Sequence, residues 1–400
     1  MPRWESFNRF LEDAQAANAA RRQALVDELL REHPTSPWIE GRTATFIYSG
    51  LGVKSVAVNL DIIQADPPFL PMRNLPDTSL WYVQHGFAPD DLLDYMLAID
   101  DPGTPLANDK DLLSRIARHW RTDPRNPLRM TTAQAEVSLL RMPKARPLAD
   151  WSAMRAVPRG KIYEHEFSSV QMNFEGRKLW VYTPPGYDPT EPRLYPMLIL
   201  FDGQWMIGPL QVPQIADALI KHGRLEPLII VMKQSGSQAS RLADYVSNDR
   251  HYAAILTELL PFLQSQYNID STNLGVGGVD VGAIAAAHCA LKNPAVFSHL
   301  IMFSPPLGRG QAQKQLLEYA QRFENAHLLP RRIFQSVGRY EQAARFYKPN
   351  LALAAILQQR EILRGDIDHE YVEIGSGHSL AAFKSLFPEA LAHTFPPGQA

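Results

Sequence analysis

Five strand-like runs in the second half of the chain, the first two of them nearly continuously apolar, decide its fold class. They are MLILFDG (197–203), PLIIVMK (227–233), LGVGGVDVG (274–282), HLIMFSPP (299–306) and RIFQSVG (332–338). Strands this apolar have no solvent face, so helices must cover both sides of their sheet. Segments of helical length lie between them, such as HYAAILTELLPFLQSQY (251–267) and AIAAAHCALKNP. KIYEHEFSSV and RKLWVYTPPGY read as two further strands ahead of the series. Residues 156–400 are therefore predicted to form an α/β domain with a mainly parallel sheet.

The first half follows a different period. Trp4, Phe7, Leu11, Ala14, Leu25, Leu29 and Leu30 fall at spacings of three or four, which predicts a helix within residues 1–40 that ends at His33-Pro34. From Arg42 the period becomes two. TATFIYSG, VKSVAVNL, SLWYVQHGF and LLDYMLAID are short runs separated by Gly, Pro and Asp, so 41–130 is expected to be an antiparallel β-sandwich. HWRTDPRNPLRMTT and RMPKARPLAD are rich in proline and arginine and read as a linker, placed at 131–155. A chain of 400 residues has room for such a division.

Composition removes several functions. Forty basic against forty-two acidic side chains leave a net charge of −2, which gives no general field for nucleic acid or anionic membranes. No run of eighteen apolar residues exists to span a bilayer. The amino terminus has charges throughout and no apolar core of a signal peptide, so a cytoplasmic location is the expectation. The single cysteine, Cys289, excludes an intrachain disulfide and a cysteine-based zinc cluster, and its Ala-rich setting predicts a buried small hydrophobe. No P-loop or dinucleotide fingerprint is present, and His251 and His288 lack spacing for a metal, so no cofactor is expected.

Chemistry in an open α/β sheet gathers at the carboxyl ends of the strands. Gly278-Val279-Asp280-Val281-Gly282 follows one apolar strand and opens a helix, which is the setting of a nucleophile elbow. The Val281 amide would then donate to an oxyanion. The centre is Asp280 rather than serine, and no G-x-S-x-G occurs elsewhere. Capping of the following helix by Asp280 is the bland alternative. Downstream, EYVEIGSGHSLAAF places His378 after a strand and a glycine-rich turn, in the chain order of a hydrolase base. Glu341, just past RIFQSVG, could orient it, with Asp366 and Asp368 as alternatives. The cluster Asp202-Gly203-Gln204-Trp205 could add a Gln204 amide and a Trp205 wall. Arg241 could meet an anionic substrate or form an ion pair.

With these residues on view, the chain resembles the enterochelin esterase family, Fes-like α/β hydrolases that cleave ferric catecholate siderophores. The motifs that carry the resemblance are RKLWVYTPPGY, LFDGQWM, RLADY (241–245), ELLPFL, the elbow with KNPAVF, and GSGHS. SPWIEGRTATFIYSG, LPDTSLWYV and DPRNP match more loosely. The resemblance implies an α/β-hydrolase fold with an N-terminal antiparallel β-sandwich domain that helps shape a pocket for a bulky aromatic ligand. It places the family's serine on Asp280, its base on His378 and its acid on Glu341. The oxyanion amides fall on Val281 and the Asp202–Trp205 loop.

The aspartate changes the chemistry. Serine attacks an acyl carbon as histidine takes its proton. A carboxylate is a feeble nucleophile towards an ester, and its charge repels the developing oxyanion. It can instead displace a leaving group at an sp3 carbon, after which His378 would activate water against the alkyl-enzyme ester. Four readings stand at this point: a hydrolase with residual ester cleavage, an inactive homologue that binds a ligand or partner, a true aspartate-nucleophile hydrolase, and a chain whose serine has been exchanged. The expected partner is a small-molecule ester or aromatic ligand, with homodimerisation left open.

Overall fold

The computed structural model describes residues 3–398 except 133–134, 152–153, 155 and 309–312. The chain divides into two compact units. One holds residues 1–147 and Gly375–Ala381, the other Leu148–Ile374 and Ala382–Ala400. Parts of the range read as a linker, at 133–134, 152–153 and 155, lie outside the described residues.

The first unit begins with two helices, Phe7–Ala16 and Asn18-capped Ala19–Glu32, where the spacing predicted one. The break follows from Asn18, whose side chain accepts from the Arg21 amide and starts a new helix. Trp4, Phe7, Phe10, Leu25, Val26 and Leu29 bury their side chains with Ile47 and Leu80 of the adjoining sheet and with Leu75 just beyond it. That sheet is antiparallel, in the order β1 (Trp38–Glu40), β2 (Thr43–Ser49), β6 (Leu80–Gly86) and β5 (Arg73–Asn74). A second antiparallel sheet runs β4 (Phe69–Pro71), β3 (Val56–Asn59), β7 (Leu92–Ile99), β10 (Glu136–Arg141), β9 (Arg129–Thr131), with β8 (Trp120–Arg121) also on β7. The expected sandwich region is present.

Its far edge differs from the linker reading. β10 lies at 136–141 and pairs with both β7 and β9. The stretch DPRNP is fixed as well. Tyr95 Oη donates to Asp123 Oδ2 at 2.7 Å, and Asn126 Nδ2 donates to Tyr95 Oη and to the Leu139 carbonyl, each at 2.9 Å. Asp123 and Asn126 are buried, and these side-chain bonds satisfy their polar groups beside prolines that lack a backbone N–H. Proline and arginine at the surface hid a strand whose buried core is only Ser138, Leu139 and Leu140.

The second unit carries an eight-stranded mixed sheet. Its order is β11 (Lys161–Ser169), β12 (Phe174–Thr183), β14 (Ile229–Lys233), β13 (Tyr195–Phe201), β15 (Ile269–Val279), β16 (Phe297–Phe303), β17 (Arg332–Gly338), β18 (Asp368–Ile374). β11–β12 and β12–β14 pair antiparallel, and every later pair is parallel. This is an α/β-hydrolase sheet. β13 and β14 are buried along their whole length, as their apolar runs require. The run at 251–267 supplies Asp249–Ala254, a π-turn at Ile255–Leu259 and Leu260–Gln264, which follow one another without a break. Cys289 is buried and free.

One strand of this sheet carries an acid-sensitive group. His299 on β16 is buried, and its Nε2 lies 2.7 Å from Asn273 Oδ1. Burial, with Arg332, Arg331 and His393 adding to it, pushes its pKa down to about 4. The unfolded chain then binds a proton that the folded chain refuses between the ordinary histidine range and about 4. Stability is therefore present above that range and lost as pH falls through it, by at most about 3 kcal/mol. Urea unfolding of the parent and H299Q from pH 7 to pH 4 should show a shallower acid loss in the variant. Parallel curves would assign the loss to other groups.

Candidate functional site

The elbow forms where β15 meets the helix Val281–Lys292. Asp280 joins them with φ 54° and ψ −125°, a conformation that L-residues rarely adopt. Its amide donates to the Phe303 carbonyl at 2.9 Å, which ties the turn to β16. The flanking glycines are a steric requirement. A Cβ at 278 would lie 2.4 Å from the carbonyl carbon of Gly282, and one at 282 would lie 2.7 Å from Asp202 Oδ2. Val281 opens the helix, so its amide is among the first-turn N–H groups that lack an intrahelical acceptor. No side-chain capping bond of Asp280 to this helix is formed, which sets the capping alternative aside.

The Asp280 carboxylate is instead held by Arg241, from the helix Gln238–Tyr245. Arg241 Nη1 donates to Asp280 Oδ2 at 3.1 Å. Its Nε and Nη2 grip Asp202 at 2.8 and 2.7 Å, and Nη2 also reaches the Val279 carbonyl at 3.3 Å. Asp202 and Arg241 are buried, whereas the Asp280 side chain keeps 17% of its surface in solvent. Burial works against the Arg241 charge, but hydrogen bonds and charge from Asp202 and then Asp280 outweigh it and push its pKa up. The guanidinium also lies 5.1 Å from the Trp205 ring centroid, within cation–π range. Arg241 thus forms ion pairs with both Asp202 and Asp280.

Asp202 closes β13 at φ 61° and leads into the short helix Gly203–Ile207. Sequence reasoning named Gly203, Gln204 and Trp205 beside it. Gly203 is buried, and Gln204 is fixed by its Nε2 donating to Ser235 Oγ at 2.7 Å. Asp202 is named in that cluster without a role of its own, although a buried acid that answers Arg241 is what holds this loop to the elbow. Its partner lies 39 residues away, and no local pattern marks such a pair.

Glu341 follows β17 and is buried. Its Oε1 accepts from the Gly338 amide at 2.7 Å and from the Ser304 hydroxyl at the end of β16. Of the alternative acids, Asp366 is engaged by Arg360 at 2.6 Å, and Asp368 by Arg332 at 2.6 Å. These ion pairs give both a structural role. His378 is exposed and lies on Gly375–Ala381, which groups with the first unit, whereas Asp280, Arg241, Asp202 and Glu341 belong to the second. Among the described residues no cluster of three or more His, Cys, Asp or Glu is arranged for a metal ion. No described helix is long and apolar enough to cross a membrane.

Comparison with known proteins agrees with this architecture. The enterobactin esterase of Shigella flexneri, solved with enterobactin, is 21% identical with a TM-score of 0.71, over 88% of this chain and 92% of that one. The ferric enterobactin esterase of Salmonella typhimurium is 18% identical with a TM-score of 0.73, over 92% of this chain and 98% of that one. At these identities the likeness is one of fold. Residues 169–394 match the family described as "Putative esterase". That match spans more than half of the chain and contains the elbow, Arg241 and the histidine turn, so the chain belongs to this esterase family.

Proposed function

We propose that this chain binds a bulky, aromatic ester of the siderophore type and hydrolyses esters weakly or not at all. The observation that carries the reading is the Arg241–Asp280 ion pair at the elbow. A carboxylate held by a guanidinium is a poorer nucleophile than a free one. If it did add to an ester, the tetrahedral adduct would expel the carboxylate in preference to the alkoxide and return to substrate. The substrate class is carried over from the enterobactin esterases of Shigella and Salmonella. In this reading Asp280, His378 and Glu341 stand at the nucleophile, base and acid positions. Val281 and the loop Gly203, Gln204, Trp205 line the oxyanion side, and Arg241 sets the charge of residue 280.

A second reading has its own support. The elbow keeps a backbone strain worth about 1–3 kcal/mol that a binding scaffold does not need. In displacement at an sp3 carbon, an Asp280 oxygen forms the new C–O bond while the halide or epoxide oxygen departs. Water then attacks the acyl carbon of that ester as His378 takes its proton. The alcohol leaves and the carboxylate is regenerated.

Assays of the chain, D280S, H378A and D280S/H378A against p-nitrophenyl esters, a catecholate trilactone, and alkyl halides and epoxides separate these outcomes. The expected result is ligand binding with little ester turnover in the chain, turnover gained in D280S, and its loss in D280S/H378A. Strong ester turnover by the unaltered chain that disappears in H378A would overturn the first reading. Alkylated Asp280 trapped by mass spectrometry in H378A would establish the second.

A further inference from the structure

Within the first unit, the segment that carries His378 contacts the β-sandwich residues at several points, each involving an acidic residue or its neighbour. The Leu92 amide, at the start of β7, donates to the Gly375 carbonyl at 2.8 Å. Ser379 Oγ donates to Asp94 Oδ1 on β7 at 2.5 Å, and Ser379 is buried. Gly377 packs on Asp61, in the loop between β3 and β4, so closely that a Cβ there would lie 3.2 Å from Asp61 Oδ2. His378 stands between Gly377 and Ser379 with its ring exposed. The carboxylates of Asp61 and Asp94 therefore meet the two residues that flank His378 in sequence.

We propose that Asp61 and Asp94 are positioning residues for His378: Asp94 fixes the loop through Ser379, and Asp61 presents its carboxylate to the imidazole. The charges agree with this placement. Burial pushes the Asp61 pKa up, and the positive charge of His378 draws it back down. Burial likewise pushes Asp94 up to about 6, against the Ser379 hydrogen bond and with the Asp61 charge adding to the rise. The carboxylates facing the loop are Asp61 from the β3–β4 loop, Asp94 on β7, and Asp91 with the Asp90 backbone ahead of β7. The last two lie against Gly375, where a Cβ would be 2.7 Å from Asp91 Oδ1. Asp61 is tied by charge to His378. His378, Asp61 and Asp94 all belong to the first unit.

The functional meaning of this placement rests on His378 serving as the site's imidazole, but its test does not. The test follows the ring proton of His378 by NMR in the full chain through a pH titration, with H378Q to assign the signal. A negative neighbour favours the imidazolium, so D61N should lower the His378 midpoint by about one unit and D61E should restore it. S379A and D94A remove the same bond from its two sides, and either should broaden the His378 signal and speed amide exchange at 376–380. D94N keeps an acceptor oxygen and should restore the order. An unchanged midpoint in D61N would overturn the role of Asp61. Unchanged exchange in S379A would overturn that of Asp94, even if D94A fails to fold. Because neither readout uses a ligand, both results stand whether or not the chain binds an ester.

Discussion

Replacing Arg241 with methionine is expected to destabilise the second unit by about 3–5 kcal/mol, the cost of breaking a buried ion pair from one side. Methionine matches the length of the arginine stem, so the loss reports the guanidinium's charge, its hydrogen bonds and its contact with the Trp205 ring rather than the volume of the stem. Four donor contacts vanish, two to Asp202, one to Asp280 and one to the Val279 carbonyl. Asp280 can turn to the solvent it already touches, whereas Asp202 is fully buried and cannot. The residue that suffers is therefore Asp202, and two consequences distinguish this account from general damage. The double variant R241M/D202N, which removes the stranded charge, should recover a large part of the loss. The deficit of R241M should also shrink between pH 8 and pH 5, because an unpaired buried carboxylate takes up a proton more readily than its counterpart in the unfolded chain. Urea unfolding of the four corners of the cycle measures all of this. A deficit below about 1 kcal/mol, the range of an exposed ion pair, would mean that the network is not structural.

The same network shows what the sequence could and could not reveal. Burial on both faces leaves a direct mark in sequence, so β13 and β14 stood out as apolar runs and the class of the sheet followed. The elbow was legible for a similar reason. Gly278 and Gly282 are required by close approach, and their spacing around residue 280 repeats that geometry in one dimension. Partnership between distant polar groups leaves no such mark. Arg241 was visible within RLADY and Asp202 within LFDG, yet only the folded sheet brings β13's end to the helix Gln238–Tyr245. The acids beside His378 were harder still. Asp61 follows a short strand and Asp94 lies within LLDYMLAID, where a lone acid resembles an ordinary solvent-facing position. β10 went unseen because its buried core is three residues set among arginine and proline. In each case the missed feature depends on tertiary pairing, while periodicity reports only which face is buried.

Lys233 belongs with these hidden features, and methionine there is expected to stabilise the protein by up to about 3 kcal/mol at pH 7. It ends the apolar run PLIIVMK, where a lysine normally marks the exit of a strand into water. Instead it is only 2% exposed, and its Nζ has no hydrogen-bond partner among the described residues. Its nearest favourable contacts are the rings of Phe174 and Tyr245, with centroids 5.5 and 6.0 Å away. Burial pushes its pKa down to about 8, and Arg177 adds to the shift while Asp244 and Asp202 oppose it. Between about 8 and the ordinary lysine range, the unfolded chain holds a proton that the folded chain has released. Stability must therefore rise with pH through that window, and the full cost is present below it. Methionine keeps the length and removes the charge, at the expense of the ring contacts, so the net gain falls below the full value. Urea unfolding of parent and K233M at pH 7, 8, 9 and 10 should show an advantage of the variant that is largest at pH 7 and fades by pH 10. Taking the difference between the two proteins cancels the tyrosines and other groups that titrate alongside. An advantage that does not change with pH would place the effect in packing, and a less stable K233M would mean that the ammonium has a stabilising partner that outweighs its burial.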